Sequence, residues 1–329
     1  MPINTIWRGC INLILAIWLL SVSFDSYSKS VSPQVKWITL GTMGGPIASS
    51  ERNQPSNALI VGEETYLIDC GDGTAGQLAK VGIPLNEVKA ILLSHLHFDH
   101  VGGLAAILGM RFQLGLSSEL EIYGPKGTKG FVDGLIASMK PAADARNGIP
   151  FAPYRTPSSF IKIVELVDED TFAMGNSRVT VIENTHFAFP NVEPHTQNFG
   201  SLSFRFDTPT KSIAFTGDTG PSKNVEKLFN GTDILISEIV DIELSISQFK
   251  SKFPQMEERQ ADNFAKLLKE HHLTPENVGL LAKNSHAGLV VLTHFVAPNA
   301  SSTDYFRFKE IIARSFSGNV ALANDLDTF

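Results

Sequence analysis

Ser94-His95-Leu96-His97-Phe98-Asp99-His100 is the stretch on which the reading of this chain turns. Before it, Ala90-Ile91-Leu92-Leu93 is a short apolar run of the kind that makes a buried strand. After it, Val101-Gly102-Gly103-Leu104 opens an apolar segment that predicts a helix as far as Leu114. Three imidazoles and a carboxylate are thus expected at the C-terminal end of a strand, where open α/β sheets place their ligand sites. His and Asp are good zinc ligands, and a turn lets the four side chains splay toward more than one ion. The stretch reads as a metal site.

Working outward, strands are expected over Val35–Leu40, Asn57–Val61 and Thr65–Asp69, with a hairpin turn at Gly62-Glu63-Glu64 and a helix over Thr74–Val81. Gly41-Thr42-Met43-Gly44-Gly45-Pro46 lacks the Lys-Ser/Thr of a phosphate-binding loop and reads as a tight turn. Downstream, strands are expected at Leu120–Tyr123, Ile161–Val167, Val179–Glu183, Ser201–Phe206, Ser212–Phe215, Asp233–Ile236, Leu289–Leu292 and Asn319–Leu322. Helices are expected around Lys129–Met139, Val225–Phe229, Glu257–His271, Glu276–Asn284 and Tyr305–Arg314. Lys140–Ser159, rich in Pro, Ala and Gly, reads as a surface loop lying over the site.

The chain has 329 residues, 43% hydrophobic and 19% charged, which suits a globular domain with an ample core. A net charge of −7 gives no electrostatic footprint for a nucleic-acid backbone. Arg8, the apolar run Ile11–Leu20 and the small residues of Ser26-Tyr27-Ser28 predict a cleaved signal peptide over 1–28. A single hydrolase domain then fills 29–329, in the periplasm or secreted, with no stable membrane anchor. A retained anchor is the alternative, although the apolar run falls short of the roughly 20 residues that a span needs. Cleavage would remove Cys10 and leave Cys70 alone, read as a small core residue.

Two metals need more ligands than one stretch supplies. His186, Asp218 and His294 each follow an apolar β run, as the opening stretch does. His195, in a Pro-rich turn, is the alternative to His186.

His-x-His-x-Asp-His, then His186, Gly217-Asp218-Thr219 and Leu292-Thr293-His294 resemble the metallo-β-lactamase superfamily. Gly41-Thr42 with Pro46, Arg52-Asn53-Gln54 and Leu67-Ile68-Asp69-Cys70-Gly71 resemble the branch that holds tRNA 3′-processing endonucleases and zinc arylsulfatases. The resemblance implies an α+β fold, an αββα sandwich of two packed mixed sheets with helices outside and the site at one edge. It implies one zinc on His95, His97 and His186, a second on Asp99, His100 and His294, and Asp218 bridging both. It also implies a proton-delivering dyad, Glu238 with His272, although the family's His-Glu is here Ser237-Glu238. Iron or manganese could occupy the same residues.

Two zinc ions lower the pKa of a shared water toward neutrality, and Asp99 can orient that water while ligating. His272 would protonate the leaving oxygen. Such a site serves sulfate monoesters and phosphodiesters alike. The short, weakly basic stretch around Lys140, Arg146 and Arg155 argues against RNA, and Phe98, Phe187, Phe189 and Phe295 could wall an aryl pocket. The expectation is therefore a secreted arylsulfatase acting on a small-molecule ester, with no nucleic acid as partner. A phosphodiesterase is the alternative and a lactonase the third reading; a homodimer is compatible with the sequence.

Overall fold

In the computed structural model, residues 32–145, 157–188, 199–296 and 302–329 are described, and the account that follows is of these. Two seven-stranded sheets form the frame. The first takes β1 (Val35–Gly41), β2 (Ser56–Val61), β3 (Glu64–Cys70), β4 (Val88–Leu92), β5 (Leu120–Gly124) and β6 (Ile161–Glu165). The second takes β7 (Thr171–Met174), β8 (Ser177–Glu183), β9 (Leu202–Asp207), β10 (Ser212–Phe215), β11 (Ile234–Ile239), β12 (Leu289–Phe295) and β13 (Asn319–Leu322). A last short strand, β14 (Asp327–Thr328), returns to the first sheet beside β1. In both sheets antiparallel pairs give way to parallel ones, β3 with β4 and β10 with β11, so both are mixed.

Period-two alternation sorts the strand side chains between two environments. Trp37, Tyr66, Ile68 and Leu92 point from the first sheet into a core shared with Val181, Phe204, Phe215 and Ile236 of the second. Leu40, Leu67 and Ile91 point the other way, against Leu78, Leu104, Ile107 and Val132. Those belong to α1 (Thr74–Lys80), α3 (Leu104–Gln113) and α4 (Thr128–Ser138); α2 (Phe98–Val101) and α5 (Lys140–Asp144) are short turns of helix. On the far side, Leu235, Val290 and Leu292 meet Val225, Val278, Leu281 and Ile312. These come from α6 (Lys223–Leu228), α9 (Pro275–Asn284) and α10 (Ser302–Ala313); α7 (Ile242–Lys252) and α8 (Glu258–His271) complete the set. Strands buried on both faces read as apolar runs, which is why the sequence located so many of them. The layers are α, β, β, α, as expected.

The local differences have identifiable causes. The helix expected over Val101–Leu114 breaks into α2 and α3 at Gly102-Gly103. A Cβ on Gly103 would lie 2.1 Å from the Gly71 carbonyl oxygen, so this close approach of α3 to the end of β3 requires glycine. In the supposed covering loop Lys140–Asp144 is helical and Pro157–Phe160 is a turn of 3-10 helix, while 146–156 lies outside the described residues, as do the supposed signal segment, Phe189 and His195. β11 and β12 run on to Ile239 and Phe295, so Glu238 and His294 sit within strand ends rather than after them. Among the described residues no helix is long and apolar enough to cross a membrane.

Candidate metal centre

The C-terminal ends of β3, β4, β10, β11 and β12 meet at one edge of the sandwich. From them come Asp69, the His95–His100 stretch, Asp218, Glu238 and His294, with His186 following β8. The turn after β1 ties the two sheets together at this edge. The Gly44 N–H donates to the Phe295 carbonyl at 2.9 Å and the Phe295 N–H to the Thr42 carbonyl at 2.9 Å.

The seven side chains expected as ligands converge, all but His97 buried. They form two groups. His97 Nδ1 lies 3.0 Å from His95 Nε2 and 3.3 Å from His186 Nε2. His100 Nε2 lies 3.2 Å from His294 Nε2, and these two nitrogens lie 3.5 and 3.6 Å from Asp99 Oδ2. Asp218 stands between the groups and divides its carboxylate. Its Oδ2 is 3.9 and 4.0 Å from His95 and His186, and its Oδ1 is 3.3 and 3.1 Å from His100 and His294.

These separations can be tested against a metal. Two imidazole nitrogens sharing a tetrahedral ion at about 2.0–2.1 Å stand about 3.3 Å apart. The ring-to-ring distances above fall at that spacing. Asp218 Oδ1 is buried and has no hydrogen-bond partner, a costly condition unless a cation supplies the missing interaction. The donors are neutral-capable nitrogens and carboxylate oxygens, the set that suits zinc and its neighbours. The His/Asp cluster fits a dinuclear metal site.

The electrostatics agree. Burial pushes His95 well below the usual histidine range, depresses His97, and takes His186 down to about 3, so this group is neutral and able to ligate at pH 7. In the second group burial also opposes charge, but Asp218, Asp99 and Asp69 override it and hold His100 well above its ordinary value; Asp218 and Asp99 do the same more mildly to His294. Burial works against ionisation of Asp99 too, yet His100 and His294 bring it down to about 2. Crowded carboxylates that call for positive charge are what a divalent cation satisfies.

A supporting layer fixes the ligands, and most of it was not read from the sequence. Asp69, fully buried, accepts from the Ser94 N–H at 2.7 Å and Ser94 Oγ at 2.9 Å, and its Oδ2 pairs with His100 Nδ1 at 2.8 Å. That leaves Nε2 of His100 facing the centre. The His186 Nδ1–H donates to the His271 carbonyl at 3.0 Å. His271 itself is buried. The Gly45 N–H donates to Asp99 Oδ2 at 3.0 Å. Asp69 and His294 have φ of 60° and 51°, two of the five non-glycine residues in the left-handed region among the described residues. Such strain persists where the surroundings enforce it.

The turn that carries Gly44 and Gly45 is itself pinned from far along the chain. Asp325 accepts from the Thr42 N–H (2.9 Å), Thr42 Oγ1 (2.7 Å), the Asn53 N–H (2.7 Å) and Gln77 Nε2 (3.2 Å). Arg52 adds bonds to Thr42 Oγ1 and the Ala323 carbonyl and lies over the Phe295 ring.

The expected dyad forms. Glu238, 1% exposed, takes the Thr219 N–H on Oε1 at 2.5 Å and His272 Nδ1 on Oε2 at 2.7 Å. Burial raises the Glu238 carboxyl. Burial opposes charge on His272 as well, but Glu238 outweighs it and lifts the imidazole to about 9. The pair therefore keeps its proton on His272 at neutral pH.

A cavity of about 410 Å³ opens over the centre, lined by Gly45, Phe98, Asp99, Phe249, Phe264 and His272 among others. Of the aromatic residues expected as pocket walls, Phe98 and Phe187 take part here or in the adjoining chamber, and Phe295 is buried behind the Gly44 turn. Phe249 and Phe264 were missed because each lies on a helix, where nothing local says which face meets the centre.

The family described as the beta-lactamase superfamily domain matches residues 64–295. Ribonuclease Z of Mycolicibacterium gilvum (strain PYR-GCK) is 25% identical over 292 residues, 88% of this chain and 94% of that protein. Ribonuclease Z of Mycobacterium avium (strain 104) is 27% identical over 294 residues, 88% of this chain and 96% of that one. Among solved structures, the short form of human tRNase Z superposes with a TM-score of 0.60 at 22% identity, covering 89% of this chain and 98% of that one. The metallo-beta-lactamase fold protein YhfI of Bacillus subtilis superposes with a TM-score of 0.63 at 20% identity, covering 90% and 99%.

These relatives correct the secreted arylsulfatase expectation, together with the expectations of a small-molecule sulfate ester and of no nucleic-acid partner. The physical reason is that net charge averages over a whole surface, whereas a diester can be gripped by two cations at one point. The phenylalanines carried no preference for an aryl sulfate either, since their rings suit any flat group.

Proposed function

We propose that this chain, which belongs to the metallo-β-lactamase superfamily, is a dinuclear zinc phosphodiesterase that cleaves ribonucleic acid, as its relatives named ribonuclease Z do. His95, His97 and His186 would hold one ion, Asp99, His100 and His294 the other, and Asp218 both. Bound there, two zinc ions would polarise the phosphoryl oxygens and lower the pKa of water toward neutrality.

The observation that carries the reading is the Glu238–His272 pair, 2.7 Å apart. A proton donor of this kind is of little use to a phenolate, whose conjugate acid has a pKa of about 10. It matters greatly for an alkoxide, the leaving group of an RNA diester. In the reaction, the oxygen of a water oriented by Asp99 bonds to phosphorus. The phosphorus bond to the leaving oxygen breaks, and His272 gives that oxygen its proton. The proton released by the attacking water passes to solvent, and a solvent proton restores His272. Glu238 holds the ring in the tautomer and charge state that the step requires.

The test compares an RNA diester, bis-p-nitrophenyl phosphate and p-nitrophenyl sulfate with the zinc-loaded full chain. The expected result is RNA cleavage, with kcat/KM for the phosphodiester more than about tenfold that for the sulfate, or about 1.4 kcal/mol of transition-state preference. Sulfate turnover equal to phosphodiester turnover, or failure to cleave RNA, would overturn the proposal.

A further inference from the structure

Beside the centre lies a second chamber of about 340 Å³, which touches the first along His97, His186, Phe264, Leu268 and His272. Its walls are Phe187, Phe199, Phe264, Leu267 and Leu268, and among the described residues its polar lining is histidine alone. Phe187 leans on the metal-cluster rings, with centroids 4.7 Å from His186 and 5.1 Å from His97, and meets Phe199 edge-on at 5.1 Å. The opposite wall comes from α8, braced on α7 by the Phe249–Phe264 contact at 4.5 Å. Leu267 and Phe199 stay 45% exposed, so the chamber opens to solvent.

A diester has two arms and this centre has two chambers. In-line displacement places the attacking and leaving oxygens on opposite sides of phosphorus. Asp99 lines only the larger chamber, so water attacks from there. The leaving arm then lies toward the second chamber, with His272 at the boundary between them. A moiety held there must be flat, uncharged and content with apolar faces.

We infer that the Phe187–Phe264–Leu267 chamber is a stacking slot for the nucleobase attached to the leaving oxygen. The inference rests on the phosphodiesterase reading. Among the described residues the slot offers rings, methyl groups and histidines but no amide or carboxylate, the composition of a stacking surface that tolerates all four bases. Base–aromatic stacking is sequence-tolerant, and its loss weakens binding by about 5- to 150-fold.

Two measurements on the zinc-loaded full chain test it. In the first, an abasic ribose replaces the nucleoside on either side of the scissile phosphate. Removal on the leaving side should lower kcat/KM by about tenfold or more, and removal on the other side by less than about threefold. Equal rates for all three substrates, or a loss confined to the other side, would overturn the slot while leaving the phosphodiesterase reading intact. In the second, a dinucleotide carrying 2-aminopurine on the leaving side is titrated and its fluorescence followed, which needs no turnover. Quenching on binding, lost in Leu267→Ala and Phe264→Ala and retained in Phe264→Trp, is expected. Undiminished quenching in the folded alanine variants, or none in the parent protein, would refute the slot. Failure of every diester to be cleaved would instead count against the phosphodiesterase itself.

Discussion

Replacing His272 with alanine separates the role proposed for it from every structural role it could have. Glu238 lifts the His272 imidazole to about 9, which favours the protonated form that must give its proton in the step. A positioned general acid contributes about 10²- to 10⁴-fold, roughly 3–5 kcal/mol of barrier. His272→Ala should therefore slow an RNA diester by that factor, while bis-p-nitrophenyl phosphate, whose leaving group is already stable as an anion, loses less than about tenfold. Metal content should stay at two per chain. Glu238→Gln gives a graded version. It removes the Glu238 charge, the largest influence holding His272 up, and leaves burial opposed mainly by Asp218 and Asp99, so the pKa falls. Activity requires protonated His272, so the alkaline limb of kcat/KM falls as pH rises through that pKa, and in the variant it falls at lower pH. Bound cations move both limbs downward, and the readout is the difference between the two proteins. Equal losses on aryl and alkyl substrates, or superimposable alkaline limbs, would refute the reasoning.

Three further outcomes follow from the geometry. Asp218→Asn removes the carboxylate shared by both groups, and metal analysis should fall from two ions per chain to less than one. Gly44→Ala would set a Cβ 2.6 Å from His294 Nδ1, displacing that ring but not the His95–His97–His186 group, so one ion should remain and activity should be lost. Asp69→Asn takes away the buried carboxylate that orients His100; chelator competition should report a 10- to 100-fold weaker metal affinity, with no loss if His100 is held by other means.

The frame and the seven side chains that converge at its edge were legible in the sequence because both leave local signatures. A strand buried on both faces is an apolar run, and a His or Asp directly after it, as at His186 or Asp218, marks a strand end. What escaped is made by short or distant pairings. β7 and β14 have four and two residues and exist through their neighbours. The helix α7 did carry a signal, Asp241 capping the Leu244 N–H, but its apolar positions are sparse. Asp69 read as the last residue of a strand, and nothing local says that it turns inward to grip Ser94 and His100. The substrate was misjudged on net charge, a weakly basic stretch and a few phenylalanines, none of which reads the scissile bond; the ribonuclease Z relatives corrected it.

The pinning of the Gly44 turn by Asp325 has a temporal side. Every residue of the metal cluster is synthesised before Asp325. Until that carboxylate arrives, Thr42, Asn53 and Gln77 lack their common acceptor, and the turn that braces Asp99 and His294 is untethered. A nascent chain stalled short of Asn324 thus carries all seven candidate ligands without the clasp that aligns them.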